Sequence, residues 1–156
     1  MLIRRAEEMD ILSMARLAEE FREKLEVWQP VFWRRAAGSG ELSESYFRYL
    51  MQSEDNLALV NEDYAGVDGF LIATLVDSPP VYDPGGKTCL IDDFAVAEDE
   101  LWGTVGEALV ERASEWAKNK GATQTVVITP LAYDEKLSFL KDRGMTPAAS
   151  WWVKPL

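Results

Sequence analysis

"LIDDFAVAEDELWGTVGEAL", residues 90–109, decides how this chain is read. Its first part, LIDDFAV, is an apolar run that carries two adjacent acids, Asp92 and Asp93, and it reads as a strand. An acidic turn follows, and a helix opens at a stretch with two glycines, Gly103 and Gly106. Strand, glycine-bearing turn and helix start can together hold a phosphate, because the first N–H groups of a helix are unpaired and its dipole favours an anion. No Lys or Arg lies in this turn, so the attraction has to come from the main chain.

Outward from that stretch, Val105, Ala108, Leu109, Ala113, Trp116 and Ala117 recur at helical spacing over 104–119, and Gly121 stands where such a helix stops. TQTVVITPL is a β-branched strand, DEKLSFLKDRG a short helix ending at Gly144, and AASWWVKPL a closing strand with one Trp in the core and one on the surface. On the N-terminal side, LIRRA (2–6) is a first strand. The next segment, MDILSMARLAEEFREKL, places Ile11, Met14, Ala15, Ala18, Phe21 and Leu25 on one helical stripe. A Gly-Ser-Gly loop at 38–40 separates VWQPVFWRR, which has no clear period, from a helix over ELSESYFRYLMQS with Leu42, Tyr46, Tyr49 and Leu50 facing inward. LALVNEDY and GFLIATLVD form a hairpin through AGVDG, and the loop SPPVYDPGG leads into KTCLIDDFAV. The order β-α-α-β-β-β-α-β-α-β predicts one mixed α/β domain over 1–156.

The chain has 156 residues, 47% of them hydrophobic and 28% charged, a globular composition with enough material for one full core. It has no apolar run of the roughly 20 residues that span a bilayer, and MLIRRAEEMD has no signal-peptide core, so a cytoplasmic location is expected. The single cysteine, Cys89, excludes an internal disulfide and argues against a thiolate metal site. With no histidine, the commonest general base and metal ligand are both missing, and proton transfer falls to carboxylates, Tyr, Lys or water. A net charge of −11 disfavours nucleic acid and favours a cationic small molecule.

The element order, LIDDFAV and the ending SFLKDRGM together resemble the GNAT superfamily of N-acetyltransferases over essentially the whole chain, and IDDFAVAED resembles the polyamine acetyltransferases. The resemblance implies a mixed, mostly antiparallel sheet with helices on both faces, acetyl-CoA as cofactor and no metal. The family pattern Arg/Gln-x-x-Gly-x-Gly/Ala aligns on Gly106, which sets Leu101 at the Arg position and Thr104 at the first glycine. Leu101, Trp102, Gly103, Thr104, Val105 and Gly106 would then hold the pyrophosphate. The glycines also have a plainer use, in a tight turn and close helix packing. The resemblance further implies that the main chain of Phe94, Ala95 and Val96 pairs with the pantetheine arm.

Acetyl transfer to an amine needs a base, because an ammonium has no lone pair, together with a donor for the oxyanion and a proton for the departing thiolate. Asp92 aligns with the acid of the polyamine enzymes and is the candidate base, while Asp93 points to the other strand face unless a bulge re-aims it. The family's Tyr falls at Leu140, so the candidate acid is Tyr133, seven residues earlier, which otherwise packs or bonds to the cofactor. Trp28, Phe32 and Trp33 either wall an acceptor pocket or form plain core. Glu107, Glu111 and Glu115 read as a solvated face, and Cys89 as a small buried hydrophobe. The expected function is acetyl transfer from acetyl-CoA to a small cationic amine, with no nucleic-acid or membrane partner. The alternatives are a non-catalytic relative that binds acyl-CoA or a protein, and an interaction protein held as a homodimer through exposed Trp residues.

Overall fold

Strand β4 organises the molecule. The computed structural model describes residues 1–156, and in it the five strands are β1 (Leu2–Arg5), β2 (Asn56–Asp63), β3 (Gly66–Val76), β4 (Lys87–Val96) and β5 (Ala122–Val127). They lie in one sheet in the order β1-β2-β3-β4-β5. The first three pairings are antiparallel, and β4 with β5 is parallel. The helices are α1 (Ile11–Trp28), α2 (Ser39–Leu50), α3 (Val105–Asn119) and α4 (Asp134–Asp142). Short 3-10 turns, Glu8–Asp10 and Asp99–Gly103, precede α1 and α3. No helix is long and apolar enough to cross a membrane.

The central strands are apolar on both faces because helices cover both. On one side Met14, Leu17 and Ala18 of α1 and Phe47 of α2 pack on Ala58, Val60, Phe70 and Ile72. On the other, Leu109 and Ala113 of α3 and Phe139 and Leu140 of α4 pack on Leu57, Leu59, Leu71, Ala73 and Ile91. Gly69 lets β3 and α3 approach this closely, since a Cβ there would stand 2.6 Å from Val105 Cγ1. Cys89 is buried in the second cluster, and burial raises its thiol pKa.

Two sequence expectations are corrected. In α2 the inward residues are Ser43 and Phe47, with Leu50 half-buried, while Leu42, Tyr46 and Tyr49 are exposed. The reason is polar: Ser43 Oγ faces α1 and accepts from Arg22 Nη1 at 2.5 Å, which turns the helix away from the aromatic stripe. The closing strand does not form. Residues 146–156 join no strand, and both Trp151 and Trp152 are exposed, so neither Trp is core.

Candidate active site

β4 departs from regular pairing where the acids lie. Leu71 pairs with Phe94 and Ala73 with Ile91, so Ile72 alone on β3 opposes Asp92 and Asp93 on β4. This is a β-bulge, and it redirects the two acids from the strict alternation expected of adjacent strand residues. Asp92 is exposed, while Asp93 is partly buried and lies 3.4 Å from Arg22 Nη2 of α1. Both raise the Tyr46 phenol pKa, after burial itself. Burial pushes Asp93 up from 3.8 to about 6, against the pull of Arg22.

β4 and β5 part at the same level. Their register ends at Ile91 with Val127, and the last main-chain bond runs from Ile128 N–H to the Ile91 carbonyl at 2.9 Å. Beyond it the free edge of β4 is met by a side chain. Lys136, the third residue of α4, is fully buried and donates from Nζ to the Phe94 carbonyl at 2.9 Å. Its ammonium lies 4.8 Å from the ring centre of Phe94, 5.1 Å from Trp102 and 5.2 Å from Phe21. Burial lowers Lys136 from 10.5 to about 7, and the charges of Asp92 and Asp93 oppose that fall.

Trp102 forms the floor of this region. It is 3% exposed, stacks on Phe139 and meets Phe94 and Tyr133 edge-on. Its Nε1–H donates to Tyr133 Oη at 3.2 Å, and the Tyr133 hydroxyl donates in turn to Asp99. Burial and Asp99 hold the Tyr133 phenol well above its usual range. Tyr133 precedes the first turn of α4, and its proton is committed to Asp99, which argues against the acid role expected for it. Trp28 and Phe21 pack on the Tyr133 ring, so Trp28 belongs to this aromatic group, whereas Phe32 and Trp33 pair with each other.

At the helix start, Thr104 makes no side-chain cap and its own N–H goes to the Leu101 carbonyl at 3.2 Å. The first α-type bond runs from Ala108 to Thr104, so the N–H groups of Val105, Gly106 and Glu107 have no partner within the helix. Arg143, just past α4, forms an ion pair with Glu107 on the first turn of α3, so no net charge is added there and the attraction for an anion rests on the main chain. Glu107 is thus paired rather than merely solvated. Gly106 serves packing: a Cβ there would stand 2.9 Å from Trp102 Cε3, while one at Gly103 would meet nothing within 4 Å. Gly106→Ala should therefore lose about 1–3 kcal/mol of stability by urea denaturation, and Gly103→Ala much less.

These residues match an anionic cofactor with an extended arm at two points. The uncapped turn beside Arg143 suits phosphate, and Thr129, two residues past β5, has a buried hydroxyl with no hydrogen-bond partner. The third point, the Phe94 carbonyl, is already taken by Lys136.

The two shifted groups give a pH signature of opposite signs. Between about 4 and 6, folded Asp93 keeps a proton that the unfolded chain has released, so its contribution falls as pH rises. From about 7 to 10 the unfolded chain keeps the Lys136 proton that the folded chain has lost, so stability rises with pH. Urea midpoints of the wild type minus those of the double variant Asp93→Asn, Lys136→Met should pass through a minimum between about pH 6 and 7. A flat difference would contradict both shifts.

No family model matches the sequence, and no curated protein does. Solved structures match throughout. A mutant of the BH1408 protein from Bacillus halodurans superposes with a TM-score of 0.87 at 24% identity, covering 100% of this chain and 99% of that one. A ribosomal-protein-alanine N-acetyltransferase from Brucella melitensis gives 0.69 at 17% identity, with 100% of both chains covered. A protein from Clostridium acetobutylicum, named a predicted acetyltransferase and solved with acetyl-CoA, gives 0.71 at 13% identity over 99% of this chain and 95% of that one. The chain has the GNAT-type acyltransferase fold.

Proposed function

We propose that this protein transfers an acetyl group from acetyl-CoA to the amine of a small cationic acceptor. The observation that carries this reading is the bulge at Asp92–Asp93, which sets two carboxylates at the level where β4 leaves β5. Acetyl-CoA, when bound, supplies the activated thioester. The N–H groups of Val105, Gly106 and Glu107 would hold its phosphates, with Arg143 and the partly buried Leu101 beside them, while Trp102 and Leu140 lie beneath as core. The main chain of Ala95 and Val96 would orient the arm, joined by Phe94 once its carbonyl is released by Lys136. Asp92, exposed beside Asp93, attracts the acceptor ammonium. Asp93 would take its proton, since a carboxyl raised to about 6 is a stronger base than an ordinary one. The proton for the departing thiolate would come from water, because that of Tyr133 is held by Asp99.

The bond between Lys136 and the Phe94 carbonyl occupies the edge where the thioester arm would be aligned. It therefore also favours a second reading, in which acyl-CoA or a protein is bound but acetyl is not transferred. Release of free coenzyme A thiol from acetyl-CoA, measured over a panel of small diamines and peptide amines, separates the two. Turnover with diamines supports transfer. Thermal stabilisation by coenzyme A without thiol release supports acyl-CoA binding without transfer, and the absence of both effects would overturn transfer and acyl-CoA binding alike.

A further inference from the structure

The geometry points to Lys136 as a built-in occupant of the cofactor edge: its ammonium holds the β4 main-chain acceptor that an acyl carrier's arm needs, and it has to leave before that arm can pair. This rests on the reading of the site as a coenzyme A site. Lysine is among the residues least often buried, and an unpaired ammonium is costly to bury. Here the cost is offset by the Phe94 carbonyl at 2.9 Å and three aromatic faces within 5.2 Å, with no carboxylate within 4.0 Å of the ammonium. The contact joins α4 to the strand edge one residue past the acid pair, and the last main-chain bond on that edge, Ile128 to Ile91, lies before the bulge. The lysine therefore completes the strand edge in place of a neighbouring strand.

Three consequences distinguish this arrangement from an ordinary core lysine. The occupant competes at one end of the cofactor only, so phosphate binding at α3 is independent of it. The competition is a hydrogen bond, so an apolar side chain of similar length removes it without emptying the space. The freed carbonyl is also left for another donor, which an amide N–H in the arm supplies.

The test is binding, not turnover. Coenzyme A, pantetheine and adenosine 3′,5′-bisphosphate are titrated by calorimetry into the wild type and into Lys136→Met, with Lys136→Ala as a second variant should the first fold poorly. Removing a hydrogen bond to a charged group should tighten coenzyme A and pantetheine about tenfold or more and leave the bisphosphate unchanged. Equal coenzyme A affinity in wild type and variants would overturn the role of Lys136 and leave the coenzyme A site intact. No binding of coenzyme A to any of the three proteins would overturn the site itself, and the inference with it.

Discussion

Asp93→Asn should lower kcat/KM for the amine acceptor by about 10²–10⁴-fold, the usual contribution of a positioned general base. The substitution keeps the shape of the side chain and removes its ability to take a proton. Arg22, 3.4 Å away, keeps an oxygen to face, so the fold should persist. The loss should be smaller at high pH, where more of the amine is already neutral. Asp92→Asn, at the exposed member of the pair, should act mainly on KM. If the two effects were reversed, Asp92 would be the base, as its alignment with the polyamine enzymes first implied. A profile of kcat/KM against pH checks the assignment, since the acid limb should bend near pH 6, where Asp93 is held.

Trp102→Ala should cost about 3–5 kcal/mol of folding stability, a large part of the roughly 5–15 kcal/mol of a typical domain. The ring meets Phe94 at 4.9 Å, Phe139 at 5.6 Å and Tyr133 at 5.7 Å between centres, so its removal opens a cavity between β4, α4 and the residue that precedes α4. It also takes a donor from Tyr133 and one face from the Lys136 ammonium. Trp102→Phe keeps most of the packing and should cost clearly less. Urea denaturation of both variants gives the comparison, and a loss below about 1 kcal/mol for the alanine variant would mean the neighbours close over the gap.

What could be read from the residues follows from what each element needs. β4 was legible to its bounds because a β-branched, apolar run between two loop signals has few other uses, and α3 was legible through its 3.6-residue stripe. The inward face of α2 was misread because Tyr46 and Tyr49 carry large rings, yet the packing there is decided by Ser43 meeting Arg22. AASWWVKPL has strand composition but no partner edge joins it, and pairing is a property of two segments, not one.

Within the site, Asp92 and Asp93 were visible as adjacent acids, while the bulge that re-aims them depends on the register of β3. Lys136 was overlooked, although a signal existed: with Phe139 and Leu140 it occupies the i, i+3, i+4 positions of the apolar face of α4. Arg143 gave no such signal, because only the tertiary fold brings the end of α4 to the first turn of α3.

The central claim is that coenzyme A lies along the free edge of β4 with its phosphates on the first turn of α3. Backbone amide NMR shifts, followed while coenzyme A is added to the wild-type protein, test it residue by residue. The account predicts the largest changes at Val105, Gly106 and Glu107, with further changes at Ala95 and Val96. Changes confined to another surface, such as the cleft lined by Arg5, Arg112 and Trp116, would contradict it.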